Sequence, residues 1–281
     1  MEPSRTTITR QYYTGERSLF QGKDLTILDT TFGEGESPLK HSSHITLKDS
    51  VFEWKYPLWY SETIRMQNCV LREMARAGIW YSRDVCIEDT LIEAPKSFRR
   101  CETLSLKQVS IPNAQETLWD CKGVALADVI AKGDYFGMNC SDVTLDDFTL
   151  YGNYCFDGAR NVTVRNAKLL SKDCFWNAND ITIYNSYISG EYFAWNSKNI
   201  TLVDCTVESL QGMCYIDNLL MKNCKLINTT LAFEFSTVDT TIVGKIDSIK
   251  NPAGGIIRAD HIDEVILEED QVDITKTRIL S

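Results

Sequence analysis

The chain has 281 residues, of which 43% are hydrophobic, and it carries 29 basic and 39 acidic side chains for a net charge of −10. Binding to nucleic acid or to an anionic membrane needs clustered Lys and Arg that neutralise phosphates, so this balance argues against both partners. Three His residues and the lack of any CxxC or HxxxH spacing predict a chain without a metal site or other cofactor.

The first ten residues hold no apolar run that could form the core of a signal peptide, and no later run reaches membrane-spanning length. We therefore expect a cytoplasmic protein. Its ten cysteines are then expected to be reduced thiols, because disulfide scaffolds belong mainly to short secreted chains. No Pro-, Gly- or Ser-rich linker interrupts the chain, which predicts one domain over residues 1–281.

One pattern, apolar-x-apolar-x-Asp/Asn-small-x-apolar, recurs along the chain and first runs from Leu25 through Asp29 to Phe32. Its first positions are Leu25, Ile45, Ile64, Val85, Leu104, Val124, Val143, Val162, Ile181, Ile200 and Leu219. These positions are 19 to 21 residues apart, and the last five intervals are all 19. Alternating apolar residues, many of them β-branched, indicate a strand with one buried face. The sequence therefore predicts an all-β fold, a single-stranded right-handed parallel β-helix of about 11–13 coils with about 19–20 residues each.

The Asp or Asn after each apolar pair falls where the chain must turn, a position that such side chains favour. Stacked coil on coil, these residues are expected to form a ladder in which each satisfies the backbone of the next. Regular coils are expected over residues 16–230. An N-terminal cap at 1–15 and irregular coils with a C-terminal cap at 231–281 are expected to cover the open ends of the solenoid.

Each coil has a second segment with an apolar residue at its penultimate position. This residue must point inward and the last residue must point outward, because side chains alternate along a strand. The outward column comprises Phe20, Lys40, Trp59, Trp80, Arg99, Trp119, Met138, Asp157, Trp176, Trp195 and Cys214. It holds five of the six tryptophans. Three residues before the next strands lie Cys101, Cys121 and Cys140, which are expected to form an internal stack of thiols.

A column of mixed charge accompanies the tryptophans, and two interpretations of this face stay open. It is either a solvated exterior on which rings and Lys or Arg stems cover one another, or a groove where aromatic faces stack on sugar rings. For the groove, the candidate ligand-binding residues are Trp59, Trp80, Trp119, Trp176, Trp195, Lys96, Arg100, Lys132 and Tyr192.

Two reactions fit the charged residues of this face. Glycoside hydrolysis needs two carboxylates, about 5–5.5 Å apart for retention or about 6.5–9.5 Å apart for inversion. The candidates, in neighbouring coils, are Glu116, Asp134, Asp157, Asp173 and Glu191. β-Elimination from a uronic acid needs a base near a cationic clamp. The nearest candidates are Lys172, Arg99, Arg100 and Lys132. Asp157 interrupts the tryptophan column and is the preferred catalytic residue.

Several motifs of the chain resemble one bacterial family. They include Gly15-Glu-Arg-Ser-Leu-Phe20, Lys55-Tyr-Pro-Leu-Trp-Tyr60, Arg76-Ala-Gly-Ile-Trp-Tyr81, Lys132-Gly-Asp-Tyr-Phe136, Ser171-Lys-Asp173 and Phe175-Trp-Asn177. The family is known as domain of unknown function 3737, within the pectate-lyase-like superfamily. The resemblance implies a β-helix and a bacterial source, and it supplies no catalytic residues. Enzymes of the superfamily include polysaccharide lyases, hydrolases and esterases, which is an analogy at the level of the fold.

Two functional hypotheses follow. The first is a carbohydrate-binding protein with an oligosaccharide or uronate-containing ligand, or a carbohydrate-active hydrolase or lyase. The alternative is a non-catalytic scaffold whose tryptophan-rich face docks a protein partner or forms a homodimer.

Overall fold

The computed structural model of the protein describes residues 5–281, and the regular secondary structure of these residues is β-strand apart from one short 3-10 helix, Ile274–Lys276. The strands stack in parallel, as the repeat predicts, and the fold is a right-handed parallel β-helix. It has about 14 turns, slightly more than the predicted 11–13, because residues 6–13 and 237–280 also form stacked strands. Within the described residues, no helix has the length and apolarity to span a membrane.

The chain forms two compact units, unit 1 up to Val143 and unit 2 from Thr144, and their boundary lies inside strand β15. The strands up to this boundary are β1 Thr6–Thr9, β2 Tyr12–Tyr13, β3 Lys23–Leu28, β4 Thr31–Phe32, β5 Ser43–Lys48, β6 Val51–Phe52, β7 Glu62–Gln67, β8 Val70–Leu71, β9 Ile79–Trp80, β10 Arg83–Glu88, β11 Leu91–Ile92, β12 Phe98–Arg99, β13 Glu102–Ile111, β14 Lys122–Lys132 and β15 Ser141–Tyr151. The single domain over residues 1–281 stays a prediction.

In unit 1 the predicted repeat positions pair in register. Ile45 lies between Leu25 and Ile64 on neighbouring strands, and Val85 lies between Ile64 and Leu104. The spacing that identified the repeat is therefore the length of one coil.

Unit 2 continues with longer strands toward the C-terminus. They are β16 Arg160–Arg165, β17 Lys168–Leu170, β18 Asn179–Tyr184, β19 Tyr187–Ser189, β20 Lys198–Val203, β21 Thr206–Glu208, β22 Asp217–Ile227, β23 Thr237–Lys250, β24 Gly254–Ile266 and β25 Thr277–Leu280. The register of β22 on β23 shifts between Met221 and Cys224, and that of β23 on β24 shifts between Ile242 and Lys245. The 19-residue pattern fades there because the coils change length.

The core is formed by apolar side chains that point into each coil and stack in columns from one coil to the next. Phe98, Leu118, Phe156 and Phe175, which precede the outward column, are completely buried. Each outward residue at the next position is at least partly exposed as far as Trp195, whereas Cys214 is buried. The alternation that separates the two columns is confirmed up to that coil.

The Asp and Asn residues of the repeat lie at turns with a left-handed backbone, for example Asp49 with φ 53° and Asn68 with φ 51°. Asn and Asp tolerate this conformation better than most residues. The predicted ladder forms in part, but its bonds join side chains rather than a side chain and the next backbone. Asn68 Nδ2 donates to Asp49 Oδ1 at 2.6 Å, and Asn223 Nδ2 donates to Asp204 Oδ1 at 2.5 Å.

All ten cysteines are free thiols, and every one but the half-buried Cys86 is buried. The backbone N–H of Cys101 lies 3.5 Å from Cys121 Sγ, and Cys140 Sγ donates to the carbonyl of Leu118 at 2.8 Å. The hydrogen bond with Cys121, together with burial, raises the pKa of Cys101 well above its usual value. These thiols pack as small apolar groups in the core.

Candidate functional site

The tryptophans of unit 1 form a closed stack. The rings of Trp59 and Trp80 are 5.3 Å apart and almost parallel, with an angle of 6° between them. The guanidinium of Arg99 lies 4.5 Å from the ring centre of Trp80 and 4.5 Å from that of Trp119. Trp80 thus has a neighbour on both faces, and Arg99 fills the coil between two tryptophans.

The indole N–H groups of this stack are also occupied. Trp59 donates to the carbonyl of Ala77 at 2.5 Å, and Trp80 donates to that of Lys96 at 2.7 Å. Trp119 donates to the carbonyl of Tyr135 at 2.7 Å. Because each bond reaches a following segment of the chain, these three side chains act as structural ties between coils.

The charged candidates of unit 1 form ion pairs at the side of this stack. Glu116 lies 3.0 Å from Lys96 Nζ and 3.8 Å from Arg99. Arg100 is 3.8 Å from Asp120 and exposed.

The remaining candidates of unit 1 are Lys132 and Asp134. Lys132 is exposed, and its carbonyl accepts a bond from Ala114 N at 2.7 Å. The backbone N–H of Asp134, a half-buried residue, donates to Gln115 Oε1 at 3.2 Å. Neither residue joins the tryptophan stack through these bonds.

In unit 2 the predicted residues converge on a cavity of about 450 Å³. It is lined by Lys172, Asp173, Trp176, Tyr192 and Trp195, all of them predicted, and by Tyr154 and Gln211. A 19-residue spacing puts Tyr154, Asp173, Tyr192 and Gln211 at equivalent positions of successive coils, all with φ between 47° and 59°. Three residues later in two of these coils come Trp176 and Trp195. The cavity lies between these two columns, and we call it the aromatic pocket.

The aromatic side chains of the pocket contact one another. The Tyr192 and Trp195 rings meet at 5.0 Å and 69°, and the Trp176 and Trp195 rings lie 6.3 Å apart at 29°. Trp195 also stacks on Tyr215 at 5.2 Å. Among the described residues, Trp176 has no other ring or cation within stacking distance. Its position in the preceding coil is held by Asp157, so one face of Trp176 has no aromatic cover.

The indole N–H groups distinguish the two sets of tryptophans. Within residues 5–281, neither Trp176 nor Trp195 donates its N–H to an acceptor of the protein, whereas Trp59, Trp80 and Trp119 all do. The unit 2 pair therefore keeps donors that a ligand can use.

Asp173 is the polar centre of the pocket. It is 2% exposed, and its Oδ1 has no hydrogen-bond partner within residues 5–281. Burial raises the pKa of this carboxyl above its usual range; Lys172 opposes the rise, and the charges of Glu191 and Asp157 add to it. A buried carboxylate oxygen without a donor is costly, and such groups mark functional sites.

Lys172 and Glu191 form an ion pair beside Asp173. Their Nζ and Oε2 atoms are 3.4 Å apart, and Nζ also lies 5.4 Å from the ring centre of Tyr192. The hydrogen bond with Glu191 raises the pKa of Lys172. Lys172 is therefore engaged by Glu191.

Asp157 lies outside the lining of the pocket. It is half-buried and accepts a bond from Asn177 Nδ2 at 3.3 Å. It acts on Asp173 through its charge.

A second cavity of about 490 Å³ is lined by Glu191 and Glu208, among others. Glu208 accepts bonds from the Tyr187 hydroxyl at 2.5 Å and Asn228 Nδ2 at 2.9 Å. These donors lower the pKa of Glu208. Both of these cavities therefore have carboxylates in or beside their walls.

In the part of the chain that the structure describes, no group of three His, Cys, Asp or Glu residues is placed to hold a metal ion.

The family model described as "Protein of unknown function (DUF3737)" matches residues 6–280. The chain belongs to this family. No curated protein matches it. Among solved structures, it is similar to the A-module of the mannuronan C-5 epimerase AlgE6 from Azotobacter vinelandii, with 7% identity, 94% of this chain and 91% of that chain covered, and a TM-score of 0.44. It is also similar to PfbA, a surface adhesin of Streptococcus pneumoniae, with 8% identity, 94% and 84% covered, and a TM-score of 0.42. Likenesses at this level carry no argument about function.

Tyr154 and Gln211 are the pocket residues that the sequence interpretation of this DUF3737 protein missed. A signal for them was present, because they stand 19 residues before Asp173 and 19 after Tyr192. Extending the column by one coil in each direction would have found both.

Proposed function

We propose that the protein binds carbohydrate, and that it does so in the aromatic pocket of unit 2. The observation that carries the proposal is the convergence of open aromatic surface, free indole N–H groups and a buried carboxylate in one cavity. A volume of about 450 Å³ lies within the range of small-ligand sites.

Each part of a sugar has a matching partner in this pocket. The C–H face of a pyranose stacks on the uncovered face of Trp176. Hydroxyl groups donate to Asp173 and accept from the indole N–H groups and Lys172. The amide of Gln211 can do both. The unit 1 tryptophans are not proposed as ligand contacts, since their faces and N–H groups are already engaged.

Glycoside hydrolysis is the second candidate, and the raised pKa of Asp173 favours it over elimination. A general acid needs a carboxyl that stays protonated at higher pH, and burial raises the pKa of Asp173. Asp157 and Glu191 are the carboxylates that could serve as its partner. Elimination would need a free base, whereas Lys172 is paired with Glu191.

A binding screen with neutral, acidic and amino-containing oligosaccharides tests the proposal by calorimetry. Trp176→Ala should weaken binding of any ligand found by at least about tenfold, because ring stacking and its buried area are lost. Trp54→Ala, which removes a half-buried tryptophan outside the column, is the matched control and should bind as the wild type does. The proposal fails if no oligosaccharide binds the wild type, or if both variants bind equally well.

A further inference from the structure

We infer that the ligand of the aromatic pocket carries a positively charged amino group, and that it is an oligosaccharide of amino sugars with free amines. The inference rests on the proposed function and names its substrate class. Its basis is the charge, the hydrogen bonding and the rings around Asp173.

The charges around the pocket do not balance. Lys172 is paired with Glu191 at 3.4 Å, which leaves Asp173 and Asp157 without a cation within 4 Å among the described residues. Glu208 in the neighbouring cavity is bonded to a hydroxyl and an amide, not to a cation. Among the described residues, Asp173, Asp157 and Glu208 thus have no ion-pair partner, and the one lysine that lines the pocket is already paired. Such a site attracts cations and repels anions.

Asp173 also has an oxygen atom that lacks a hydrogen-bond donor among the described residues. Asp173 lines the pocket, it is 98% buried, and its Oδ1 has no partner within residues 5–281. An ammonium group has N–H donors and a positive charge, so it satisfies the oxygen and compensates the carboxylate together. A neutral hydroxyl supplies only the hydrogen bond.

The rings of the pocket also suit an ammonium group. Aromatic faces attract cations within about 6 Å of the ring centre, and cages of aromatic residues recognise amines in this way. Lys172 Nζ already lies 5.4 Å from the centre of Tyr192. Trp176 and Trp195 line the same cavity and add two larger rings.

Three other ligand classes fit less well. A uronate would bring a further carboxylate close to Asp173, which is unfavourable at short range. A neutral sugar leaves the Asp173 charge without a counter-ion. A quaternary ammonium has no N–H to donate to Oδ1. Of these classes, the amino sugar is the one that compensates the charge of Asp173, donates a hydrogen bond to Oδ1 and stacks on an aromatic ring.

The test is calorimetry of the whole protein with three tetrasaccharides, made of glucosamine, N-acetylglucosamine or galacturonic acid, at a pH of about 6, where amines are protonated. Tetramethylammonium serves as a fourth probe. We expect the glucosamine tetramer to bind at least about tenfold more tightly than the acetylated one, and the galacturonate tetramer not to bind.

Two variants test whether Asp173 causes this preference. Asp173→Asn keeps the shape of the side chain. In this variant the ratio of the two dissociation constants, acetylated tetramer over glucosamine tetramer, should fall close to one. Binding of the acetylated tetramer should change less than about threefold. Asp157→Asn is the matched control, since Asp157 lies outside the lining and acts only at longer range; it should keep most of the preference.

The outcomes separate the inference from the proposed function. If acetylated or acidic tetramers bind as well as the glucosamine tetramer, or if Asp173→Asn keeps the preference, the amino-sugar inference is overturned while carbohydrate binding stands. If tetramethylammonium binds and no sugar does, or if nothing binds, both are overturned.

Discussion

Asp173 is a carboxylate that the fold buries without a hydrogen-bond partner for Oδ1. Replacement by Asn removes the buried charge and keeps the shape, so we predict that Asp173→Asn unfolds with a free energy about 1–2 kcal/mol higher than the wild type at neutral pH. Urea denaturation measures this difference. Asp157→Asn, at a half-exposed and hydrogen-bonded site, should change stability by less than about 0.5 kcal/mol.

The same variant has a predicted pH dependence. Because burial raises the pKa of Asp173, the folded protein binds more protons than the unfolded chain between the ordinary and the raised value. Wild-type stability therefore falls as the pH rises through that interval, while the amide of the variant has no proton to lose. The gain in Asp173→Asn should vanish near pH 4, at about the ordinary value for Asp. A gain that is equal at acid and neutral pH would contradict the assignment of its cause to this carboxyl.

The preference of the sequence interpretation for Asp157, where the structure draws attention to Asp173, has a physical reason. Alternation along a strand predicts which side chains point outward, and Asp157 is conspicuous as the acidic residue in a column of tryptophans. Alternation does not predict depth. Asp173 is 2% exposed in the wall of a pocket that side chains of neighbouring coils form, and such depth depends on how two columns pack.

Asn68 illustrates what a turn residue contributes to the stability of a single coil. It has φ 51°, and its Nδ2 donates to Asp49 Oδ1 at 2.6 Å. We predict that Asn68→Ala lowers the free energy of unfolding by about 2 kcal/mol, from the strain of a left-handed alanine and the lost bond. Asn68→Gly should lose only about 1 kcal/mol, because glycine adopts this backbone without strain. Equal losses in the two variants would show that the backbone conformation contributes nothing.

At the scale of the element, the stack of Trp59, Trp80, Arg99 and Trp119 ties the coils of unit 1 together. We predict that Arg99→Ala lowers the free energy of unfolding by about 1–2 kcal/mol, since two cation–π contacts are lost and two ring faces become exposed. Binding in the aromatic pocket should be unchanged. Chemical denaturation followed by tryptophan fluorescence measures the first effect, and calorimetry measures the second.

Arg100→Ala is the control for the stack. Arg100 is the exposed neighbour, 3.8 Å from Asp120, and its removal should cost less than about 0.5 kcal/mol. If Arg99→Ala is no more harmful than Arg100→Ala, or if it abolishes ligand binding, the structural assignment of the stack is wrong.

At the scale of the whole chain, the repeat made the fold predictable. An interval of 19 to 21 residues, strands with one buried face and a polar turn residue are local features that recur from Leu25 to Asn223, so each of these coils supports the assignment of the others. The tryptophan column also follows from the interval, but its division into a closed stack and an open pocket does not. That division depends on indole hydrogen bonds and on one guanidinium, which have no periodic signal.

The net charge of −10 adds a long-range attraction for a cationic ligand to the local contacts of Asp173. Salt screens this attraction, since the Debye length falls from about 10 Å at 0.1 M to about 3 Å at 1 M ionic strength. We predict that the dissociation constant of the glucosamine tetramer rises several-fold between these two concentrations. That of the N-acetylglucosamine tetramer should change less than about twofold, because an uncharged ligand has no charge to screen. Titration calorimetry at both salt concentrations measures the two constants, and an equal response of the two ligands would show that charge does not select the ligand.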